Sequence, residues 1–279
     1  MNRIIFITWG GKGNYGRLKR SILLASTLRN EAEILFLTRC EGKTTSFIID
    51  AGFPYIFFED KLPEAELFIF DTEEIPGKIP ENSLIIDGEG SNAIKMVPIK
   101  ENGRFQILYP RYRHFHLLEK EYRKKGKKVL VALSSKHSFD EIVQAIEAVE
   151  NEGLFPVFAP HYEFPKPYLS KLRERFKKIK IIGPVIDLAR AFWETDIALI
   201  SGRLKPFEAA CLGTPSIYWE TSEITEEFVR EGAGVPYREG ILTEFYHHPE
   251  KRREMGSRGK ELVDGLGLKR ILEIVRGML

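Results

Sequence analysis

The sequence has few of the features that mark secreted, membrane-spanning or nucleic-acid-binding proteins. Its two cysteines, Cys40 and Cys211, lie far apart and lack metal-ligand spacing, so we predict reduced thiols and no disulfide framework. The apolar run at the N-terminus is too short for a signal peptide or a membrane span. No charge dominates, because 42 basic and 40 acidic residues give a net charge of +2. We therefore expect a cytoplasmic protein with no membrane span and no nucleic-acid partner.

The histidines do not form a metal-ligand pattern either. None of those we considered shares a helix face with acids or cysteines, as a metal site requires. They are His114, His116, His161, His247 and His248. The sequence therefore predicts no metal site, and we expect no bound cofactor.

What the chain does have is a regular alternation of short apolar runs and amphipathic segments. This pattern is typical of βαβ units around a largely parallel sheet. One series starts with the strand at Ile4–Thr8 and a second with Val129–Leu133. We predict two Rossmann-like, doubly wound α/β domains facing each other across a cleft. Residues 1–110 form the first, residues 111–127 a charged linker, and residues 128–279 the second, whose last helix can pack back on the first. Ligands of such sheets bind at the carboxyl ends of the strands, so the site is expected in the cleft.

The first candidate motif is Gly11–Gly16 (GKGNYG), a G-x-G-x-x-G pattern between a predicted strand and helix. Glycines allow a tight turn, and a helix N-terminus offers N–H groups to a phosphate. A dinucleotide is disfavoured because Arg20 stands where a small residue is needed, and because the next strand ends in Thr38-Arg39 without an acid. An NADP site would depend on Arg39. A Walker loop is excluded because Arg17-Leu18 follows the last glycine, and a plain connecting turn remains the alternative.

The second motif spans Ile200–Ile217, from the end of one predicted strand through a helix into the next strand. Pro206 falls in the first turn of that helix, whose N-terminal amides and neighbouring cations suit a diphosphate. Glu208 can accept both hydroxyls of a ribose, because one carboxylate has two oxygens. The alternative is an acid that the helix dipole alone favours. The candidate binding residues are Ser201, Gly202, Arg203, Lys205 and Glu208.

The segment Gly16–Ala25 (GRLKRSILLA) resembles the Gly-His-x-x-Arg helix start of the UDP-sugar hydrolases of pseudaminic acid biosynthesis. Related spore-coat polysaccharide biosynthesis proteins share this pattern. The likeness continues loosely over most of the chain, through Leu67–Asp71, Leu84–Asp87, Leu108–Tyr122, Ile182–Ala189 and Ser201–Pro215.

The resemblance implies a glycosyltransferase-B-like fold with UDP held mainly by the second domain. It implies that the base is received by the loop with Gly183, Val185 and Ile186, and that phosphate and ribose lie at Ser201 and Glu208. The glycine loop of the first domain would close over the phosphates or the sugar. Its candidate residues are Gly13, Gly16 and Arg17.

Three sugar-side features depart from the family pattern. The family histidine falls on Arg17, whose guanidinium stays protonated and cannot act as a general base, although it can stabilise a diphosphate. An Asp-His-Tyr segment reads Asp71-Thr-Glu-Glu, and a Gly-Gly turn reads Ser134-Ser135-Lys136-His137. The sequence therefore does not identify the catalytic residues, and Arg17, Asp71 and Asp87 are weak candidates. Other possible bases are Glu73, Glu74 and His137.

We predict a protein that binds a nucleotide sugar, a UDP-sugar above all, in surface-glycan or polysaccharide biosynthesis. The expected chemistry is hydrolysis or glycosyl transfer at the anomeric carbon. Two alternatives stay open: a catalytically inactive homologue that binds a nucleotide or a partner, and, more distantly, an NADP-dependent oxidoreductase.

Overall fold

The computed structural model describes residues 2–9, 15–39, 42–59, 61–72, 78–86, 93–94, 108–123, 126–161, 164–183 and 188–279. The chain forms two compact units. The first comprises Met1–Leu108 and Leu266–Leu279, and the second comprises Tyr109–Gly265. Among the described residues, none of the helices combines the length and the apolarity that a membrane span requires.

The described residues of the first unit form six parallel strands and three helices. In chain order they are β1 (Arg3–Ile7), α1 (Tyr15–Leu28), β2 (Glu33–Thr38), α2 (Lys43–Asp50), β3 (Tyr55–Phe57), β4 (Leu67–Phe70), β5 (Ser83–Ile86), β6 (Ala93–Ile94) and α11 (Gly267–Met278). The strand order is β3-β2-β1-β4-β5-β6, and Ile4 on β1 is level with Ile34 on β2 and Leu67 on β4. The strand predicted at Ile4–Thr8 is confirmed as β1, whereas the two-residue strand β6 was not predicted.

The central strands β1 and β4 are buried on both faces, which explains why Ile4–Ile7 and Leu67–Phe70 are apolar without interruption. Successive side chains point to opposite faces. Ile4 and Phe6 therefore pack in one cluster with α1, α2 and α11, and Ile5 and Ile7 pack in another. The buried residues of α11 in the first cluster are Leu268, Ile271, Leu272 and Val275. The last helix of the chain thus contributes to the core of the first unit.

The described residues of the second unit form another six-stranded parallel sheet. Its elements are α3 (Pro110–His116), β7 (Lys128–Ala132), α4 (Phe139–Asn151), β8 (Phe155–Phe158), α5 (Lys166–Arg175), β9 (Lys180–Ile181), α6 (Ala189–Glu194), β10 (Ile197–Ile200), α7 (Lys205–Cys211), β11 (Ser216–Tyr218), α8 (Glu223–Arg230), β12 (Val235–Pro236), α9 (Ile241–His247) and α10 (Pro249–Leu262). The strand order is β12-β11-β10-β7-β8-β9. Counted from the first strand of each unit, both sheets follow the doubly wound order 3-2-1-4-5-6.

The segment expected to be a linker lies within the second unit. Tyr112 on α3 is fully buried, and Arg113 donates to the backbone carbonyl of Asp264 at 2.9 Å. Lys120 is also buried, and its ammonium donates to the carbonyls of Phe192 (3.0 Å) and Trp193 (2.7 Å) at the end of α6. Desolvation lowers the pKa of Lys120 to about 7. Buried contacts of this kind make residues 109–123 part of a packed unit.

Candidate functional site

The strand order of the second unit defines a topological switch point, at which the order of the strands along the sheet reverses. The central strands β7 and β10 are neighbours, with Ile200 level with Ala132, and the connections that follow them lead to opposite sides of the sheet. In doubly wound sheets a crevice opens at this point, outside the carboxyl ends of the strands, and ligands bind there. Residues 133–138 after β7 and residues 201–204 after β10 flank it.

The side chain of Ser201 joins these two loops. Ser201 is fully buried, and its hydroxyl accepts a hydrogen bond from the backbone N–H of Ser134 at 2.9 Å. The same hydroxyl lies 2.8 Å from Nε2 of His137, a residue that is 7% exposed. Two loops that are distant in sequence are therefore held together by one buried polar cluster.

Two carboxylates lie on either side of His137. Nδ1 is 3.4 Å from Oε1 of Glu141, and Nε2 is 3.4 Å from Oε2 of Glu220. Glu141 also closes a capping box with Ser138 at the start of α4, and hydrogen bonds from Ser138 hold the pKa of Glu141 below its ordinary value. His137, Glu141 and Glu220 offer donor atoms within 4.8 Å of one another, which is the chemistry of a metal site. Hydrogen bonds to Ser201 and Glu141 hold the imidazole of His137 in this position.

The loop after β10 forms a tight turn. Gly202 has φ +96°, and a Cβ at this position would lie 3.2 Å from Cβ of Ser134, so the backbone passes close to the neighbouring loop. Lys205 begins α7, and its ammonium lies 3.3 Å from the carbonyl oxygen of Ser201. The side chain of Arg203 is exposed. Both cations predicted for a diphosphate thus lie at this edge of the sheet.

Glu208 lies in the first turn of α7, as predicted, and is half-buried. The hydroxyl of Tyr112 donates to its Oε1 at 2.9 Å, a contact that the sequence analysis did not identify. Cys211, at the end of the same helix, is buried, and desolvation raises the pKa of its thiol to about 12. This cysteine is therefore an unreactive core residue.

In the first unit, Asp71 follows β4 and is fully buried. Its carboxylate accepts two hydrogen bonds from Arg20, at 2.8 and 2.5 Å, and a third from the hydroxyl of Ser21 at 3.0 Å. This ion pair explains why position 20 is an arginine and not the small residue that a dinucleotide-binding fingerprint requires. Three donors engage this buried carboxylate, and this geometry gives no support for the predicted catalytic role.

The other predicted residues of the first unit lie at the start of α1. The helix begins at Tyr15, two residues earlier than expected, so Gly16 and Arg17 belong to its first turn rather than to the preceding loop. Both are half-buried. The predicted residues Gly13, Asp87, Val185 and Ile186 lie outside the described residues, as do Cys40, Glu73 and Glu74. Gly183, which follows β9, is exposed.

Comparison with known proteins identifies the fold. No protein-family model and no curated protein matches the sequence. A glycosyltransferase from Rickettsia africae is similar in structure, with a TM-score of 0.64 and 10% identity over 99% of this chain and 98% of that one. MurG of Acinetobacter baumannii matches with a TM-score of 0.64 and 12% identity over 99% and 100% of the two chains. HepE of Anabaena, solved in complex with UDP and glucose, matches with a TM-score of 0.61 and 13% identity over 100% of both.

At these identities the likeness establishes the fold. The chain has two parallel-sheet α/β domains of the glycosyltransferase-B type, and the predicted fold class is confirmed. The sequence analysis did not predict the contact of Ser201 with His137. The available signal was positional: Ser201 directly follows β10, His137 lies in the loop after β7, and a doubly wound order makes these two strands neighbours.

Proposed function

We propose that this chain binds a nucleotide sugar, with UDP as the nucleotide, through its second unit. We further propose that it transfers or hydrolyses the sugar at the anomeric carbon in glycan or polysaccharide biosynthesis. One observation carries this proposal: the whole chain shares its fold with glycosyltransferases, and one similar structure, HepE, was solved with UDP and glucose. The strand order of the second unit supports a ligand at the carboxyl ends of β7 and β10.

The charges at this edge suit a diphosphate. Arg203 and Lys205 bring two cations to the turn after β10, and Gly202 lets the backbone pass close to the loop after β7. Charge-assisted hydrogen bonds from such cations are shorter and stronger than neutral ones. We assign the diphosphate to residues 201–205 on this basis.

The ribose is assigned to Glu208, one turn further along α7. Its Oε1 accepts from Tyr112, which fixes the carboxylate in one orientation. A carboxylate oxygen has two lone pairs, so this contact is compatible with further hydrogen bonds from ribose hydroxyls. The roles of Gly183, Gly16 and Arg17 rest on the resemblance to UDP-sugar hydrolases and stay predictions.

Calorimetric titration tests the proposal. UDP and a UDP-sugar are expected to bind saturably. Lys205→Met removes a cation from the assigned diphosphate site and should weaken UDP binding about tenfold or more. Lys166→Met is the matched control, because Lys166 also begins a helix of this unit and precedes a proline, but it is exposed and follows β8. Equal effects of the two substitutions, or no binding of UDP, would contradict the assignment.

A nucleotide-sugar-binding protein without catalytic activity is the second candidate. Arg17 favours it, because an arginine cannot replace the general base that the resemblance expects there. Release of UDP from UDP-sugars separates the two candidates: release identifies an enzyme, whereas tight binding without release identifies a binding protein.

A further inference from the structure

An arginine and two aromatic residues lie together at the carboxyl edge of the first sheet. Arg39 directly follows β2, Phe58 directly follows β3, and Trp9 lies two residues beyond β1. The backbone N–H of Phe58 donates to the carbonyl of Thr38 at 3.0 Å, which extends the pairing of these strands to the cluster. We call Trp9, Arg39 and Phe58 the Arg39 cluster.

The geometry of the cluster fixes the position of the guanidinium. Its central carbon lies 5.0 Å from the centre of the Trp9 ring and 4.8 Å from that of Phe58, and the two rings are 5.8 Å apart at 57°. The cation therefore lies over both rings of a tilted pair, where the quadrupole of each ring attracts it. Trp9 and Phe58 are half-buried and pack against the core, whereas Arg39 is exposed.

A second arginine of the same unit shows what is different about Arg39. Arg29 also lies over an aromatic ring, 4.4 Å from the centre of Phe53, but its guanidinium donates to the backbone carbonyls of Ala51 and Gly52. No hydrogen bond or ion pair joins Arg39 to any residue that the structure describes. A contact with an aromatic ring is an electrostatic attraction and does not require the five N–H donors of the guanidinium, which can therefore serve a ligand.

We propose that the Arg39 cluster is a binding site for a small organic anion that carries a carboxylate or a phosphate. A planar guanidinium held in one position is suited to bidentate recognition of either group. The half-buried rings beside it offer apolar surface, which favours an anion carried on an organic group over a bare ion. This inference goes beyond nucleotide binding by the second unit and does not depend on it.

Titration calorimetry of the full chain at low salt tests the inference, with glucuronate, glucose 6-phosphate and neutral glucose as probes. At least one of the two anionic sugars is expected to bind saturably, and glucose is not. Arg39→Gln should weaken binding about tenfold or more, and Arg39→Lys should weaken it less because it keeps the charge but loses the planar donor set. Arg29→Gln, the matched control, should leave the affinity unchanged. Thermal melting checks that each variant is folded.

Each outcome of these titrations either supports or overturns the proposed anion site. Binding of glucuronate alone identifies a carboxylate ligand, and binding of glucose 6-phosphate alone identifies a phosphate ligand; both support the site. The inference is overturned if neither anion binds, if glucose binds equally well, or if Arg39→Gln has no larger effect than Arg29→Gln. UDP is titrated against the same variants. Failure of UDP to bind, with glucuronate binding still dependent on Arg39, would refute the proposed function and leave this inference standing.

Discussion

Replacing Asp71 by asparagine tests whether this residue is structural or catalytic. The substitution keeps the size of the side chain and removes the charge that faces Arg20. Asp71 is fully buried, Arg20 is 7% exposed, and two hydrogen bonds of 2.8 and 2.5 Å join them. Removing one partner of a buried ion pair typically costs about 3–5 kcal/mol, because the remaining charge keeps its desolvation penalty. We therefore expect the free energy of unfolding of the first unit to fall by about this amount.

The assay must report on the first unit alone, because two units can unfold separately. The chain has three tryptophans, and only Trp9 lies in the first unit. In a background with Trp193→Phe and Trp219→Phe, the fluorescence of Trp9 during urea unfolding follows this unit. Glu33→Gln is the control on the same sheet. It removes a surface ion pair with Arg3, which solvent screens and which therefore contributes far less to stability than a buried pair.

A double substitution sharpens the test. Arg20→Met with Asp71→Leu replaces both charges by apolar groups, and it should restore most of the stability that Asp71→Asn loses. If Asp71→Asn costs no more than Glu33→Gln and yet abolishes turnover of a nucleotide sugar, Asp71 is catalytic and the structural explanation is refuted.

Two further predictions concern stability, at Lys120 and Gly256 of the second unit, with Gly277 of the first unit as a control. Burial lowers the pKa of Lys120 to about 7, whereas the pKa in the unfolded chain is 10.5. Between pH 7 and pH 10.5 the amine of Lys120 is therefore protonated in the unfolded state and neutral in the folded state. The free energy of unfolding should therefore rise from pH 7 to pH 10.5 more steeply than it does in Lys120→Met. Urea unfolding at several pH values measures this difference. The same pH dependence in both proteins would contradict the burial of the lysine. Gly256→Ala places a Cβ 2.0 Å from the hydroxyl of Tyr122 and 2.4 Å from the carbonyl oxygen of Gly213. This clash should lower the free energy of unfolding by about 1–3 kcal/mol, which thermal melting will detect as a lower melting temperature. Gly277→Ala, which meets nothing within 4 Å, should be neutral or stabilising by up to about 1 kcal/mol, and equal losses would refute the steric argument.

The elements of the fold could largely be predicted because strands buried on both faces appear as uninterrupted apolar runs. Helix α4 (Phe139–Asn151) has a start signal that can be read in the sequence, the capping box of Ser138 and Glu141. The strands β6 and β12 could not be predicted, because two residues carry no periodicity and Pro236 argues against a strand anywhere but at an edge.

The contacts of the candidate site were harder to predict than its elements. Ser201, Gly202 and Glu208 were identified because they follow a strand and begin a helix, which is local information. The partners of these residues are distant in sequence: His137 is 64 positions from Ser201, and Tyr112 is 96 positions from Glu208. Asp71 shows the same limitation, because the pattern of acids after strands does not reveal that Arg20 occupies this carboxylate.

Amide hydrogen exchange with and without UDP tests the central claim most directly, because it shows where the nucleotide binds. The claim is that UDP occupies the carboxyl ends of β7 and β10 in the second unit. Saturating UDP should slow exchange in peptides that cover residues 133–138 and 201–208, and a peptide covering α8 (Glu223–Arg230) should be unchanged. Protection confined to other parts of the chain, or no protection at a concentration that saturates binding, would contradict the claim.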